Sequence, residues 1–172
     1  GNPVRTSYET SPLGRITEIH QNARGRTVGY RIAGSTSETS AIMKYNAIGR
    51  LVAIYDNDGN NHEFRYDLAG RQIQEVHPDF GSVEYTYDPA GNQLAKITSE
   101  LRNTIPQGGE IRYEYDHERL IQITYPKSYQ NLVQFHYGEP GAEYNRAGRI
   151  WLVEDASGGE ELYFGPTEEV VK

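Results

Sequence analysis

The chain has 172 residues, no cysteine and a formal net charge of −7. The missing thiols exclude disulfides, thiol catalysis and zinc–thiolate centres, and the acidic balance argues against nonspecific nucleic-acid binding, which needs a basic footprint. Hydrophobic residues make up only 36%, yet there are 14 tyrosines; tyrosine packs its ring while keeping its hydroxyl wet, so a thin tyrosine-rich wall fits better than a thick aliphatic core.

Along the chain, the elements repeat. Gly1-Asn2-Pro3 enters part-way into turn-like sequence. Tyr8 leads to Gly14-Arg15 as a weak first copy with one extra spacer, and a degenerate unit is expected around Arg24-Gly25-Arg26. Three clear copies follow. They are Tyr45-Asn46-Ala47-Ile48-Gly49-Arg50-Leu51, Tyr66-Asp67-Leu68-Ala69-Gly70-Arg71-Gln72 and Tyr87-Asp88-Pro89-Ala90-Gly91-Asn92-Gln93, and the step from Tyr45 to Tyr66 equals the step from Tyr66 to Tyr87. A fixed period of this size marks a repeat architecture, which more often builds surfaces and containers than one compact catalytic centre. Tyr115-Asp116 leads to Arg119 without a glycine, and Tyr144-Asn145 leads to Gly148-Arg149. The steps from Tyr87 to Tyr115 and from Tyr115 to Tyr144 exceed the period by seven or eight positions. Loops at Glu100–Gly109, with Pro106, and at Pro126–Asn131 are the expected insertions.

After each Gly-Arg position an apolar pair recurs at a separation of three: Ile16/Ile19, Leu51/Ile54, Ile73/Val76, Leu94/Ile97, Leu120/Ile123 and Ile150/Val153. That spacing alone suits a helix. The runs are short, rich in β-branched and aromatic residues and bracketed by turn signals, so they read as strands in which one extra residue, a β-bulge, shifts the alternation. A bulge also raises the twist a curving sheet needs. Turns are expected at Asp56-Asn57-Asp58-Gly59, at His77 to Gly81 and at Asp155 to Gly159. Strands with aromatic residues at alternate positions precede the repeat turns: Phe64 and Tyr66, Tyr85 and Tyr87, Tyr113 and Tyr115. The prediction is an all-β chain of about a dozen strands, with no amphipathic helix of ten or more residues. Leu162-Tyr163-Phe164 reads as a strand just before the end at Val170-Val171-Lys172. Neither terminus resembles a cap, so the chain is expected to be part of a longer array.

The combination Tyr-Asp-x-x-Gly-Arg-Leu with a following Tyr-x-Tyr-Asp resembles the YD repeat of bacterial Rhs proteins, of the B and C components of insecticidal Tc toxins, and of animal teneurins. The match is best from Tyr45 to Thr98, and Gly141 to Lys172 is similar to Rhs cores. The resemblance implies repeated antiparallel β-hairpins, one per tyrosine period, in a curved, spiralling sheet, an arc of a hollow shell. It implies one array over 1–172, clearest at 45–98, with insertions over 99–143 and a last repeat at 144–172. It implies encapsulation of a C-terminal toxin or effector domain, with that domain and the rest of the shell as partners, in an exported or cell-surface bacterial protein. The family's self-cleavage motif has no counterpart here. Tyr45, Gly49, Arg50, Tyr66, Asp67, Gly70, Arg71, Tyr87, Asp88, Gly91, Tyr144, Gly148 and Arg149 are the expected repeat-geometry positions. Glycine permits the turn's backbone angles, and arginine can bridge to a neighbouring carboxylate or carbonyl.

Chemical sites fare less well. Carboxylates that recur once per period read as turn-starters, not as acid/base groups. Asp56-Asn57-Asp58-Gly59-Asn60 resembles a calcium loop, but aligning Gly59 on the loop glycine puts Ile54 where a ligand is required. His62-Glu63 opens like HExxH, but Tyr66 stands where the second histidine belongs, and the segment is strand-like. The sequence leaves open a spatial cluster among His20, His62, His77, His117 and His136. There is no Gly-x-Ser-x-Gly elbow, and Gly25, Gly29 and Gly34 precede no helix, so they are not a phosphate loop. With 24 acidic residues, some pair will meet a glycosidase spacing by chance. Exposed tyrosines suit sugar stacking, so a carbohydrate- or protein-binding adhesin module is the alternative function. No catalytic, cofactor or metal site is expected. No run of eighteen apolar residues exists to span a membrane, and the first residues do not read as a secretory signal. A piece cut from a longer array leaves open strand edges, so edge-to-edge association is expected.

Overall fold

The computed structural model describes residues 4–33, 39–105, 109–126, 132–165 and 170–171. The expected insertion residues Pro106 and 127–131, together with Gly34, Gly1-Asn2-Pro3 and Lys172, lie outside the described residues. Fourteen strands hydrogen-bond in chain order as one antiparallel sheet. The described residues fall into two compact units, Gly1–Ser82 and Val83–Lys172.

In the first unit the strands are β1 (Arg5–Thr10), β2 (Ile16–Gln21), β3 (Thr27–Ala33), β4 (Thr39–Tyr45), β5 (Leu51–Asp56), β6 (Asn61–Tyr66) and β7 (Gln72–His77). The second holds nearly all of β8 (Gly81–Tyr87), then β9 (Gln93–Thr98), the short helix α1 (Ser99–Thr104), β10 (Ile111–Asp116), β11 (Arg119–Thr124), β12 (Leu132–Tyr137), β13 (Ile150–Asp155) and β14 (Gly158–Glu161). A two-stranded ribbon pairs β15 (Tyr163–Phe164) with β16 (Val170–Val171).

The expected bulge is present, and it recurs. Across β4–β5, Lys44 pairs with Ala53 and Tyr45 with Leu51, leaving Val52 as the extra residue. Ile73, Leu94, Ile121 and Trp151 are the corresponding extra residues in β7, β9, β11 and β13, and Val28 is one in β3. The recurring apolar pair straddles the bulge in Leu51/Ile54, Leu120/Ile123 and Ile150/Val153, whereas Ile73 and Leu94 are themselves the extra residues. Two registers therefore produce one sequence spacing. An extra residue lies outside the in–out alternation, which is why Ile73, Leu94 and Ile121 remain exposed.

The insertion expected at Glu100–Gly109 begins as a helix, not a loop. Thr98 caps α1, its hydroxyl accepting from Leu101 N at 3.2 Å. A helix this short cannot display a helical period. Leu101 nevertheless becomes one of the few buried side chains.

The core is thin. Among the described residues, the buried apolar side chains are Ala41, Ala53, Ala95 and Leu101, and no large side chain is fully buried. The chain exposes 11964 Å², where a closely packed monomer of this mass exposes roughly 8500 Å².

Candidate functional site: the turn ladder

The repeat motif builds one turn many times. In the first unit, Asp67 N donates to Arg71 O at 3.0 Å, Gly70 N donates to Asp67 O at 3.0 Å, and Arg71 N donates to Asp67 Oδ1 at 2.9 Å. Asn46 makes the same three bonds with Arg50 and Gly49, and Asn22 makes them with Arg26 and Gly25. The degenerate unit expected near Arg24-Gly25-Arg26 is thus a complete turn, with Gln21 where the tyrosine belongs. In the second unit, Asp88 repeats the pattern with Asn92 and Gly91. These are three-residue hairpin loops ending on a glycine with positive φ. Because antiparallel connections alternate edges, the 22–26, 46–50 and 67–71 turns share one edge of the first unit. The Ser11–Arg15 and Asp56–Asn60 turns use the same bonding on the opposite edge. Tyr8 and Gly14-Arg15 therefore do not start the ladder to which Tyr45 belongs.

The turns carry charge in a defined way. Hydrogen bonds from the Arg71 side chain, then from its backbone N–H, hold the Asp67 carboxyl below the usual carboxylate range. The Asn92 side chain does this first for Asp88, and the Asn60 side chain for Asp56. Burial raises the Tyr115 phenol, with the charge of Asp88 adding to it. All are turn-forming or packing groups, and among the described residues no three histidine or acidic side chains converge to hold a metal.

Tyrosine and arginine join successive turns. The Tyr66 hydroxyl donates to Leu51 O at 2.8 Å, and the Arg50 guanidinium lies over the Tyr66 ring at 5.7 Å. The Tyr45 hydroxyl donates to Thr27 O at 2.7 Å beneath Arg26 at 5.9 Å. In the second unit, the Tyr137 hydroxyl donates to Leu120 O at 3.1 Å beneath Arg119 at 5.4 Å. In each case the tyrosine reaches the residue after the preceding turn's arginine, and that arginine covers its ring. The glycine completes the joint. A Cβ on Gly49 would fall inside the Arg26 guanidinium, and one on Gly70 inside that of Arg50. Arginine thus acts mainly between turns, which sequence reasoning assigned to carboxylate or carbonyl bridging. Arg71 does bridge to a carboxylate, its Nε lying 2.7 Å from Asp67 Oδ2. Further bonds between neighbouring turns run from Arg24 Nη1 to Ala47 O at 3.3 Å and from Asn92 Nδ2 to His117 O at 3.1 Å.

The structure departs from the expected motif twice in the second unit. Tyr115-Asp116 leads into a two-residue loop, His117-Glu118, with His117 at φ 56°. Losing the glycine shortens the turn. Second, Tyr144 is not the repeat tyrosine. It lies outside any strand at φ 58°, exposed beside Tyr163. Tyr137 takes the role, close to one period after Tyr115. Gly148 and Arg149 keep their positions: Gly148 N donates to Gly138 O at 2.7 Å, and Gly138 N donates to Arg149 O at 2.9 Å. Arg149 covers Phe164 at 5.1 Å. The excess between Tyr137 and Tyr144 therefore sits inside this turn, where sequence reasoning placed it at Pro126–Asn131. The missed signal was the period itself, which Tyr137 satisfies and Tyr144 does not.

Inside this enlarged turn Arg146 is held tightly. Its guanidinium lies 5.0 Å from the Trp151 ring and 4.3 Å from that of Tyr163, with Nη2 3.1 Å from Glu161. The Tyr163 hydroxyl and then Arg146 hold the Glu161 carboxyl below its usual range.

The chain is similar to known proteins in part of its sequence and in its fold. Residues 45–79 match the sequence model described as RHS Repeat. Comparison with curated proteins gives no match. Among solved structures, a crystal structure of TcdB2-TccC3-TEV is similar at TM-score 0.67 and 18% identity, covering 92% of this chain and 8% of that one. A TcdB2-TccC3 crystal structure gives TM-score 0.63 and 14% identity over 97% of this chain and 11% of that one. The Photorhabdus luminescens Tc holotoxin pore gives 0.60 and 16% over 91% and 9%. This chain thus spans about a tenth of the length of the chains it matches. No helix among the described residues is long and apolar enough to cross a membrane. Residues 45–79, which hold two turns of the ladder, match the RHS Repeat model, and the antiparallel sheet is similar in fold to these Tc toxin structures.

Proposed function

We propose that this chain is a structural, non-catalytic segment of an Rhs-type wall that sequesters a C-terminal effector. The observation that carries the reading is the turn ladder. Arg26, Arg50 and Arg119 cover Tyr45, Tyr66 and Tyr137 of the neighbouring turn, and among the described residues the buried apolar side chains are three alanines and one leucine. Such a sheet gains stability by continuing, not by folding over a core. Residues 1–172 act as one YD array, and Tyr45, Gly49, Arg50, Tyr66, Asp67, Gly70, Arg71, Tyr87, Asp88, Gly91, Gly148 and Arg149, with Tyr137 in place of Tyr144, set its geometry. The outer strands β1 and β14 pair with further hairpins of the same wall, and an isolated copy pairs edge to edge. The partners are the remaining wall and the effector, in a protein exported from a bacterial cell. The similarity to TcdB2-TccC3 structures supports this reading.

The test is limited proteolysis of the native gene product purified from its source cells. The reading expects a product many times longer than this chain, with a C-terminal segment that resists protease until the wall is opened by denaturant. A C-terminal segment digested as fast as a free peptide would overturn it.

A further inference from the structure

In the first unit, two of the five histidines come together on one sheet face. Glu63 pairs with Val76 across β6–β7, so His62 and His77, one step further along, stand opposite each other. Their ring centroids are 4.8 Å apart. The rings are flanked by Phe64, 4.3 Å from His62, and by Phe80, 4.8 Å from His77. Both histidines are about three-quarters buried, with side-chain exposures of 23% and 28%. A cleft of about 170 Å³ opens beside them, lined by Ile54, Asp56, Asn60 and Asp79 as well.

The ring nitrogens are not equivalent. His62 Nε2 lies 2.8 Å from Glu75 Oε1, which fixes its proton on Nε2 and leaves Nδ1 as a lone pair. His77 Nδ1 accepts from Asp79 N at 3.1 Å, with Asp79 Oδ2 at 3.8 Å. With Nδ1 accepting, the neutral His77 ring carries its proton on Nε2; coordination through Nε2 requires the other tautomer, with the proton on Nδ1, which Asp79 Oδ2 can accept after a small ring rotation. Metal-bound histidines commonly donate their second ring N–H to a carboxylate, which orients the ring and raises its basicity. Glu75 plays this part for His62, the Asp79 carboxylate lies within reach of the His77 ring, and Phe64 and Phe80 pack beside the pair. Aromatic stacking and an ion pair would account for one histidine and one carboxylate, but they give no reason for two opposed imidazoles with a carboxylate near each.

We propose that His62 and His77 form a two-histidine site for a late first-row divalent cation such as Zn²⁺ or Ni²⁺, clipping β6 to β7. Imidazole suits these ions, and bonds of about 2.0–2.1 Å bring two rings on adjacent strands to one ion. No third histidine or acidic ligand converges among the described residues, so water completes the coordination, and the affinity is micromolar. This inference goes beyond the wall reading and stands independently of it.

The test is calorimetric titration of the protein with ZnCl₂ and NiCl₂, run beside His62→Gln and His77→Asn. One equivalent should bind, and each substitution should weaken binding at least about tenfold. At a free metal concentration about 100 times Kd, the melting temperature should rise by about 5–10 °C. Because a variant could lose its fold, NMR of the unsubstituted protein decides separately. Ni²⁺ should broaden the His62 and His77 ring signals and shift the Asp79 amide, sparing His20, His117 and His136. Absence of saturable binding below about 1 mM, a range still accessible to weak single-site affinities, or broadening spread evenly over all five histidines, would overturn the proposal.

Discussion

Replacing Gly70 by alanine tests the joint between turns, because two costs can be separated. Gly70 sits at φ +89°, where a side chain is strained. That strain alone costs about 1–2 kcal/mol. The new Cβ would also displace the Arg50 guanidinium from the Tyr66 ring, forfeiting about 0.5–1 kcal/mol of cation–π attraction. Gly70→Ala should therefore cost about 1.5–3 kcal/mol, or about 3–12 °C in Tm. Gly59 is the matched control, since its φ is +85° and nothing stands within 4 Å of its Cβ position. Gly59→Ala should cost only the backbone share, about 1–2 kcal/mol. In an Arg50→Ala background no guanidinium is left to displace, so Gly70→Ala should then cost the same as Gly59→Ala. Urea denaturation of the four variants of the Gly70/Arg50 cycle gives the coupling, expected at about 0.5–1 kcal/mol. Equal costs for Gly70→Ala and Gly59→Ala, with no coupling to Arg50, would refute the idea that one turn's arginine packs on the next turn's glycine.

Three further outcomes are expected. Tyr66→Phe removes the hydroxyl that donates to Leu51 O and should cost about 0.5–1.5 kcal/mol by chemical denaturation, while Tyr8→Phe, at an exposed position off the ladder, should leave stability unchanged. The carboxyls of Asp56, Asp67 and Asp88 are held low by turn hydrogen bonds. A group with a lowered folded pKa stabilises above its unfolded pKa, near about 3.9, and loses that contribution as pH falls through the folded value. Tm should thus drop between about pH 5 and pH 2, and Asp67→Asn with Asp88→Asn should flatten the drop; an unchanged slope would contradict the assignment. Ala53→Leu overfills a site that is 5% exposed and should cost about 1–3 kcal/mol, whereas Ile42→Leu on exposed surface should cost almost nothing.

The repeat, the strands and the bulge were legible because they follow from local periodicity, and an extra residue leaves its trace in the spacing of apolar positions. The partner of each arginine was not. Nothing in Gly-Arg says that the guanidinium packs on the tyrosine that opens the next repeat, as Arg50 does on Tyr66. The edge on which a turn sits was also hidden, since Gly14-Arg15 and Gly49-Arg50 look alike until the strands between them are counted. Tyr144 misled because it precedes a genuine Gly-Arg pair. The inserted residues lie within the turn itself, so the nearest tyrosine was not the structural one. The paired His62 and His77 belong to different strands, distant in sequence, and only the β6–β7 register brings them together.

Imaging the native gene product by electron cryomicroscopy tests the central claim most directly. The account predicts β1–β14 embedded in a longer wall of successive hairpins, with Arg50 over Tyr66 and density for a further domain enclosed behind it. A product of about this chain's length, with its β1 and β14 edges unpaired and nothing enclosed, would contradict it.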